Sequence, residues 1–115
     1  MLTPEQLNYF RARLEQQREA LGADVAEAQR QIAAPDEIAD AISDRSDDGN
    51  MLFAHEEAMN ELARVKQTLA QVEHALQRLE AGTYGYSEVS GQRIPIERLE
   101  ALPYATTLVG EHAQE

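Results

Sequence analysis

The stretch that decides the fold is residues 52–82, which read LFAHEEAMNELARVKQTLAQVEHALQRLEAG. Apolar residues recur in it every three or four positions, the spacing of one face of a helix. They are Leu52, Met59, Leu62, Val65, Leu69, Val72, Leu76 and Leu79. Gly82 can take the left-handed C-cap conformation, so the pattern predicts a helix that ends at Ala81–Gly82. The step from Met59 through Leu62 to Val65 shortens the repeat by one residue, which we interpret as a stammer.

A second helix is predicted upstream. Thr3 can cap it, Pro4 suits its first position, and Gln6 stands where a capping box closes. Its apolar residues also follow heptad spacing, with a glutamine at one seam position. They are Leu7, Phe10, Leu14, Leu21, Val25, Ala28 and Ile32, and the glutamine is Gln17. We expect this helix to run from about Pro4 to about Ala33, because Pro35 halts it.

The fold class follows from these two helices of about 30 residues, each roughly 45 Å long. Joined by a short connector, they most simply form an antiparallel coiled-coil hairpin. After Gly82, a glycine- and tyrosine-rich segment predicts a turn or short hairpin, and a short helix follows between Pro95 and Pro103. We therefore expect a mainly α protein with two parts, a hairpin at 1–82 with an acidic tip at about 36–50 and a small module at 83–115.

Composition limits the function classes. The chain has 115 residues, 5% aromatics, no cysteine and a net charge of −11. Direct binding to a nucleic-acid backbone is unfavourable with this charge, whereas a basic protein surface is a favourable partner. Without cysteine there can be no disulfide or thiolate metal site. The N-terminus lacks a signal-peptide pattern and no apolar run could span a bilayer, so we expect a cytoplasmic protein without a membrane partner, and a monomer.

The connector concentrates the acidic residues. Between Asp36 and Glu57 there are eight acids against one base, Arg45, which places −7 of the −11 net charge in 22 residues. Like charges crowded together repel, so a basic docking site would explain them. Alternatively the acids only cap the second helix, for which Asp47, Asp48 and Asn50 are candidates.

The same segment partly matches a calcium loop. Asp44, Ser46 and Asp48 would be its first, third and fifth ligands, with Gly49 at the sharp turn. Position twelve is then His55, so the bidentate carboxylate is missing, and we do not expect calcium binding.

The run from 82 to 106, GTYGYSEVSGQRIPIERLEALPYAT, resembles the C-terminal zinc-finger motif of the DksA/TraR family of bacterial transcription regulators. That motif reads FGYC-x-x-CG, then I-x-x-RLEA-x-P-x-A, then C-x-x-C, and every landmark except the cysteines is recognisable. The resemblance continues without a gap through the second helix to the tip, where the family's D-x-x-D signature falls on Asp44 and Asp47.

This resemblance implies a non-enzymatic regulator that inserts its coiled coil into the secondary channel of RNA polymerase. Asp44 and Asp47 would act near the catalytic magnesium, supported by Arg45 and Asp48, and would destabilise the initiation complex without binding DNA. The positions after the aspartates are Gly49 and Asn50 where the family usually has small residues such as alanine. A glycine loosens a helix start by about 1 kcal/mol relative to alanine, so the tip is expected to be held less firmly.

Two further departures concern ligands. The four zinc-ligand positions carry Ser87, Ser90, Leu108 and Glu111. These side chains do not supply the thiolates or imidazoles that zinc prefers, so we predict no metal and no cofactor. Packing of side chains must then hold the module, and the candidates are Tyr84, Tyr86, Val89, Ile94, Ile96, Leu99, Leu102 and Leu108. His112 lies beside Glu111, but His55 and His74 are far away in sequence on the helices, so we interpret His112 as an unliganded surface histidine.

The family's contacts with ppGpp, the alarmone of the stringent response, fall on Arg64, Gln71, Leu102 and His112. Only Arg64 keeps a permanent charge, which predicts a weak or absent alarmone response.

Two alternatives stay open. The chain could be a coiled-coil adaptor, or a competitor that occupies the channel without regulating. It could also stimulate transcript cleavage like the Gre factors, whose architecture is similar and whose tip acids would hold a second magnesium ion. A hydrolase in its own right has little support, because acids at an exposed tip lack a desolvated pocket.

Overall fold

The computed structural model describes residues 2–32 and 48–110 of the chain. It contains three helices in this part: α1 at Pro4–Gln31, α2 at Asp48–Ala81 and α3 at Ile96–Ala101. The mainly helical fold class is confirmed, since two long helices pack against each other. The second helix begins four residues before Leu52, where the sequence first showed its apolar repeat.

The start of α1 follows the predicted capping box. The main-chain N–H of Gln6 donates to Thr3 Oγ1 at 3.1 Å, and the main-chain N–H of Thr3 donates to Gln6 Oε1 at 2.9 Å. Pro4 has no N–H to satisfy at the first helical position. Local sequence alone therefore fixes where this helix begins.

Burial identifies the residues of the seam between the helices. On α1 they are those predicted from the sequence, with Phe10 and Leu14 fully buried and Gln17 half-buried. Reduced exposure on α2 extends to Thr68, Ala75 and Arg78. The residues of reduced exposure that form the repeat along the seam are His55, Ala58, Leu62, Val65, Leu69, Val72, Leu76 and Leu79. Their spacing alternates regularly between three and four.

The predicted stammer is therefore wrong. Met59 is 46% exposed, and Ala58 takes the seam position beside it. A small residue at the seam carries a weak hydropathy signal, which is why the sequence pattern favoured the larger methionine. With Ala58 in place, the α2 repeat needs no interruption.

Contacts between residues divide the described chain into two units. The first unit takes in 2–20 and 69–110, and the second takes in 21–32 and 48–68. Each unit holds one stretch of α1 and one stretch of α2. The predicted division near residue 82 stays a prediction.

In the first unit, the chain leaves α2 through a tight turn. Gly82 has φ +78°, the left-handed conformation expected of a C-cap glycine. Gly85 has φ +91°, and a Cβ there would lie 2.9 Å from Leu2 Cδ1. Tyr86 and Arg93 then form an isolated antiparallel bridge, which agrees with the predicted turn or short hairpin.

The core of the first unit lies where α1, α2 and the C-terminal module meet. Its buried apolar residues are Phe10, Leu14, Val72, Ala75, Leu79, Tyr84, Ile94, Leu99 and Ala105. The sequence also predicted Val89, Ile96 and Leu102 to pack there. These three are 46%, 37% and 38% exposed, so that part of the prediction is wrong.

Candidate functional site

The first turn of the C-terminal module holds two of the predicted zinc-ligand positions. Ser87 is only 3% exposed, and its Oγ accepts hydrogen bonds from the main-chain N–H of Val89 at 3.1 Å and of Ser90 at 3.2 Å. The Ser87 N–H donates to the Gln92 carbonyl at 2.7 Å, and the Gly91 N–H donates back to the Ser87 carbonyl at 2.9 Å. Serine commonly closes turns in this way. A hydroxyl therefore organises this turn.

The second segment of the module holds the other two zinc-ligand positions. Leu108 is half-buried, and Glu111 lies outside the described residues. The segment before Leu108 is tied to α3, since Arg98 Nε donates to the Thr107 carbonyl at 2.8 Å. An aliphatic side chain at this position offers zinc no ligand atom.

These residues do not fit zinc. The Ser87 hydroxyl accepts two main-chain N–H groups, and Leu108 has no donor atom. Among residues 2–32 and 48–110, no group of three or more histidine, aspartate or glutamate side chains could hold a metal ion.

Two side chains of α2 reach the first turn. Arg78 Nη2 donates to the Thr83 carbonyl at 3.1 Å and to the Tyr86 carbonyl at 2.8 Å. One turn earlier on α2, His74 Nε2 lies 3.1 Å from Glu88 Oε1. The sequence did not predict that His74 pairs with a carboxylate.

Glu88 is the acid of this cluster. Burial acts most strongly on its pKa and would raise it. Hydrogen bonds with the Thr106 and His74 side chains, together with the charges of His74 and Arg78, outweigh that effect and lower the pKa below its usual range. Glu88 is therefore ionised at neutral pH.

A second polar cluster joins α1 to α3. Arg13 Nη1 donates to the Glu100 carbonyl at 2.9 Å and to Glu100 Oε2 at 3.1 Å, and the Tyr9 hydroxyl donates to Glu100 Oε2 at 3.0 Å. Beneath it, the Tyr84 hydroxyl donates to the Pro103 carbonyl at 2.7 Å. Burial, the strongest influence, raises the pKa of Tyr84 well above its ordinary value. This cluster fixes α3 against the helical pair.

The predicted tip lies largely beyond what the structure describes. Asp44, Arg45 and Asp47 fall outside the described residues. Asp48, Gly49 and Asn50 form the first turn of α2. The helix that follows the tip thus begins immediately after Asp47 in sequence.

The four predicted alarmone positions fall in different parts of the chain. Arg64 is exposed and forms an ion pair with Glu61, while His112 lies outside the described residues. Gln71 and Leu102 line one shallow groove of about 180 Å³ in the first unit. His74 and Arg98 supply the basic groups of that groove, and the sequence had predicted neither.

The sequence of this chain is similar to that of a known protein. No protein-family model matches the sequence. RNA polymerase-binding transcription factor DksA of Caulobacter vibrioides is 30% identical over 118 residues, which cover 99% of this chain and 77% of that protein. The chain belongs to the DksA family. The resemblance seen in the sequence is confirmed.

Two further relatives extend this result. Transcription factor DksA2 from Pseudomonas aeruginosa has a solved structure that matches this DksA-family protein with a TM-score of 0.75 and 29% identity, over 92% of this chain and 79% of that one. The uncharacterized protein YteA of Bacillus subtilis is 36% identical over 122 residues and all of this chain. The chain spans about half of the length of YteA, 51%. In the described part, no helix is both long enough and apolar enough to cross a membrane.

The sequence missed the polar contacts that hold the first unit of this DksA-family protein together. His74 and Glu88 are 14 residues apart, and Arg13 and Glu100 are 87 apart. Such pairs carry no local signal. Their recognition needs the helices and the module to be in place first.

Proposed function

We propose that this chain binds RNA polymerase and regulates transcription initiation by entering the secondary channel with its connector first. The observation that carries the proposal is the match to the Caulobacter polymerase-binding factor along 99% of the chain. The TM-score of 0.75 to DksA2 supports it, because the pairing of α1 with α2 is common to both folds.

The charge of the connector supports the proposal that this segment enters the channel. With a net charge of −7 in 22 residues, this segment is suited to a pore lined by basic groups, because attraction between opposite charges would orient its approach. Asp44 and Asp47 are proposed to act at the end of that path, by electrostatic and steric interference with the initiation complex. The chain itself then needs no catalytic residue and no contact with DNA.

The function is proposed to be independent of zinc. The Ser87 turn is closed by hydroxyl and main-chain hydrogen bonds, and the core around it is made of buried apolar side chains such as Phe10, Tyr84 and Leu99. In small modules metal binding supplies folding free energy, so losing the ligands removes that dependence.

A weak alarmone response is also proposed, because of the side chains at the family's alarmone positions. Arg64 is exposed and already paired with Glu61, while Gln71 and Leu102 are uncharged. Transcription inhibition should therefore change little when ppGpp is added. A large synergy would contradict this part of the proposal.

The test is transcription in vitro from a ribosomal promoter. Replacing Asp44→Asn together with Asp47→Asn should abolish the effect on transcription while leaving binding to polymerase largely intact, because the helices supply most of the contact. Asp36→Asn with Asp40→Asn is the matched control, since it removes the same charge from the same connector.

Other outcomes would favour the alternatives. A wild-type chain that relieves other channel factors but does nothing alone would be a silent competitor. RNA cleavage in stalled complexes would indicate a Gre-like activity. Loss of all binding in the tip variant would mean that the tip is the anchor, which contradicts the proposal that the helices supply most of the contact.

A further inference from the structure

The C-terminal module has two segments that must be held to each other and to α2. They are the Ser87–Ser90 turn and the 106–108 segment. A metal bound at the four family positions would join them directly, but the residues present do not fit one. Some other contact must therefore supply the connection.

We propose that Glu88 is the positioning residue that joins both segments and α2 in place of a metal. This inference rests on the zinc-free folding proposed above. Glu88 lies in the first turn, its main-chain N–H donates to the Thr106 carbonyl at 2.8 Å, and its Oε1 lies 3.1 Å from His74 Nε2 on α2. Its carboxylate also accepts a hydrogen bond from the Thr106 side chain.

Glu88 can do this because both segments are fixed on either side of it. The Ser87 hydroxyl holds the turn through Val89 and Ser90, so the Glu88 side chain leaves a rigid backbone. On the other side, Arg98 donates to the Thr107 carbonyl, next to Thr106. Losing the Glu88 side chain would therefore remove its links to the Thr106 side chain and to His74, while the main-chain bond to Thr106 stays.

The charges around Glu88 favour its ionised form. Among the described residues, His74 and Arg78 act on it from α2, and Arg98 lines the adjoining groove from α3. The Glu88 side chain is 24% exposed, half the exposure of its partner His74 at 46%. An isolated exposed ion pair contributes little. Glu88 differs because its main chain and side chain both bond to Thr106, and its side chain also contacts His74 on α2.

The experiment measures thermal unfolding and amide hydrogen exchange of the full chain. Glu88→Ala and the milder Glu88→Gln are compared with Glu97→Gln, which removes the same charge from an exposed position of α3. We expect Glu88→Ala to lower the Tm by about 4–8 °C, Glu88→Gln by less, and the control by little. The amides of Glu88 and Val89 should lose protection while that of Leu99 keeps it.

A double-mutant cycle with His74→Gln tests the pairing itself. The Tm shift caused by His74→Gln should be much smaller in the Glu88→Ala background than in the wild type. Additive shifts would overturn the proposal, and so would Glu88 variants that match the Glu97→Gln control in both Tm and exchange.

Chelator treatment distinguishes a failure of the zinc-free proposal from a failure of the role proposed for Glu88. If EDTA lowers the Tm of the wild type, then folding depends on a metal, and both the zinc-free proposal and this one fail. If EDTA has no effect and the Glu88 variants behave like the control, then only the role of Glu88 is wrong.

Discussion

Ser87 is the residue where this chain departs most clearly from a metal-binding turn. Its hydroxyl is buried and accepts two main-chain N–H groups. Removing the hydroxyl leaves two partly buried main-chain N–H groups without that partner, and losing hydrogen bonds of this kind costs about 0.5–1.5 kcal/mol. We therefore expect Ser87→Ala to lower the free energy of unfolding by this amount, as measured in urea.

Ser90→Ala is the matched control for this substitution. Ser90 is exposed, and its hydroxyl accepts a single N–H, that of Gln92, at 3.4 Å. The control should change the free energy of unfolding by less than about 0.5 kcal/mol. Equal effects of the two substitutions would show that the Ser87 hydroxyl has no special role.

Glu88 gives the first unit a defined dependence on acid. Because its pKa is lowered in the folded state, its ionised form stabilises the protein at pH values above the ordinary 4.5. That stabilisation is lost as the pH falls through the lowered folded-state value. The Tm of the wild type should therefore drop more steeply than that of Glu88→Gln below about pH 4.5. Parallel curves for the two proteins would contradict the contacts seen for this carboxylate.

At the scale of elements, the seam of α2 distinguishes two neighbouring apolar residues. Leu62 occupies the seam, whereas Met59 is 46% exposed beside it. Leucine, methionine and glutamine have similar helix propensities, so glutamine substitutions report mainly on burial. We expect Leu62→Gln to cost about 1 kcal/mol or more and Met59→Gln less than about 0.5 kcal/mol.

The comparison is made by urea unfolding of the full chain. If Met59→Gln lowered the free energy of unfolding more than Leu62→Gln, the result would favour the stammered repeat and contradict the register of the structure. Ala58→Gln provides a further check, because it places a polar side chain at the seam position that the structure assigns to alanine.

Sequence patterns predicted the elements of this fold better than their contacts. Thr3, Pro4 and Gln6 marked the start of α1, and Gly82 marked the end of α2, because capping depends on residues close in sequence. The seam near Ala58 was missed because a small side chain gives a weak apolar signal. Leu102 shows the opposite error, because its strongly apolar side chain predicted burial and yet it is 38% exposed.

The candidate site shows the same difference between elements and contacts. The sequence located the turn at Ser87 and Ser90 and predicted that it would lack zinc ligands. It could not predict that Glu88 pairs with His74, since that contact depends on how α2 meets the turn. The acidic connector was recognised from charge alone, and the roles of Asp44 and Asp47 stay predictions.

At the scale of the whole molecule, two long helices and a small module form a DksA-family protein whose proposed partner is RNA polymerase. The central claim is that the connector reaches the interior of that enzyme. The absence of cysteine makes this claim directly testable, because one introduced thiol can be labelled without background.

The deciding measurement is site-specific cleavage of RNA polymerase by an iron chelate attached to Ser46→Cys, between Asp44 and Asp47. The account predicts cuts in the polymerase chains that surround the catalytic magnesium, and none there when the label is moved to Glu97→Cys. Cuts confined to the outer surface of polymerase, or no cuts under conditions where the labelled chain is bound, would contradict it.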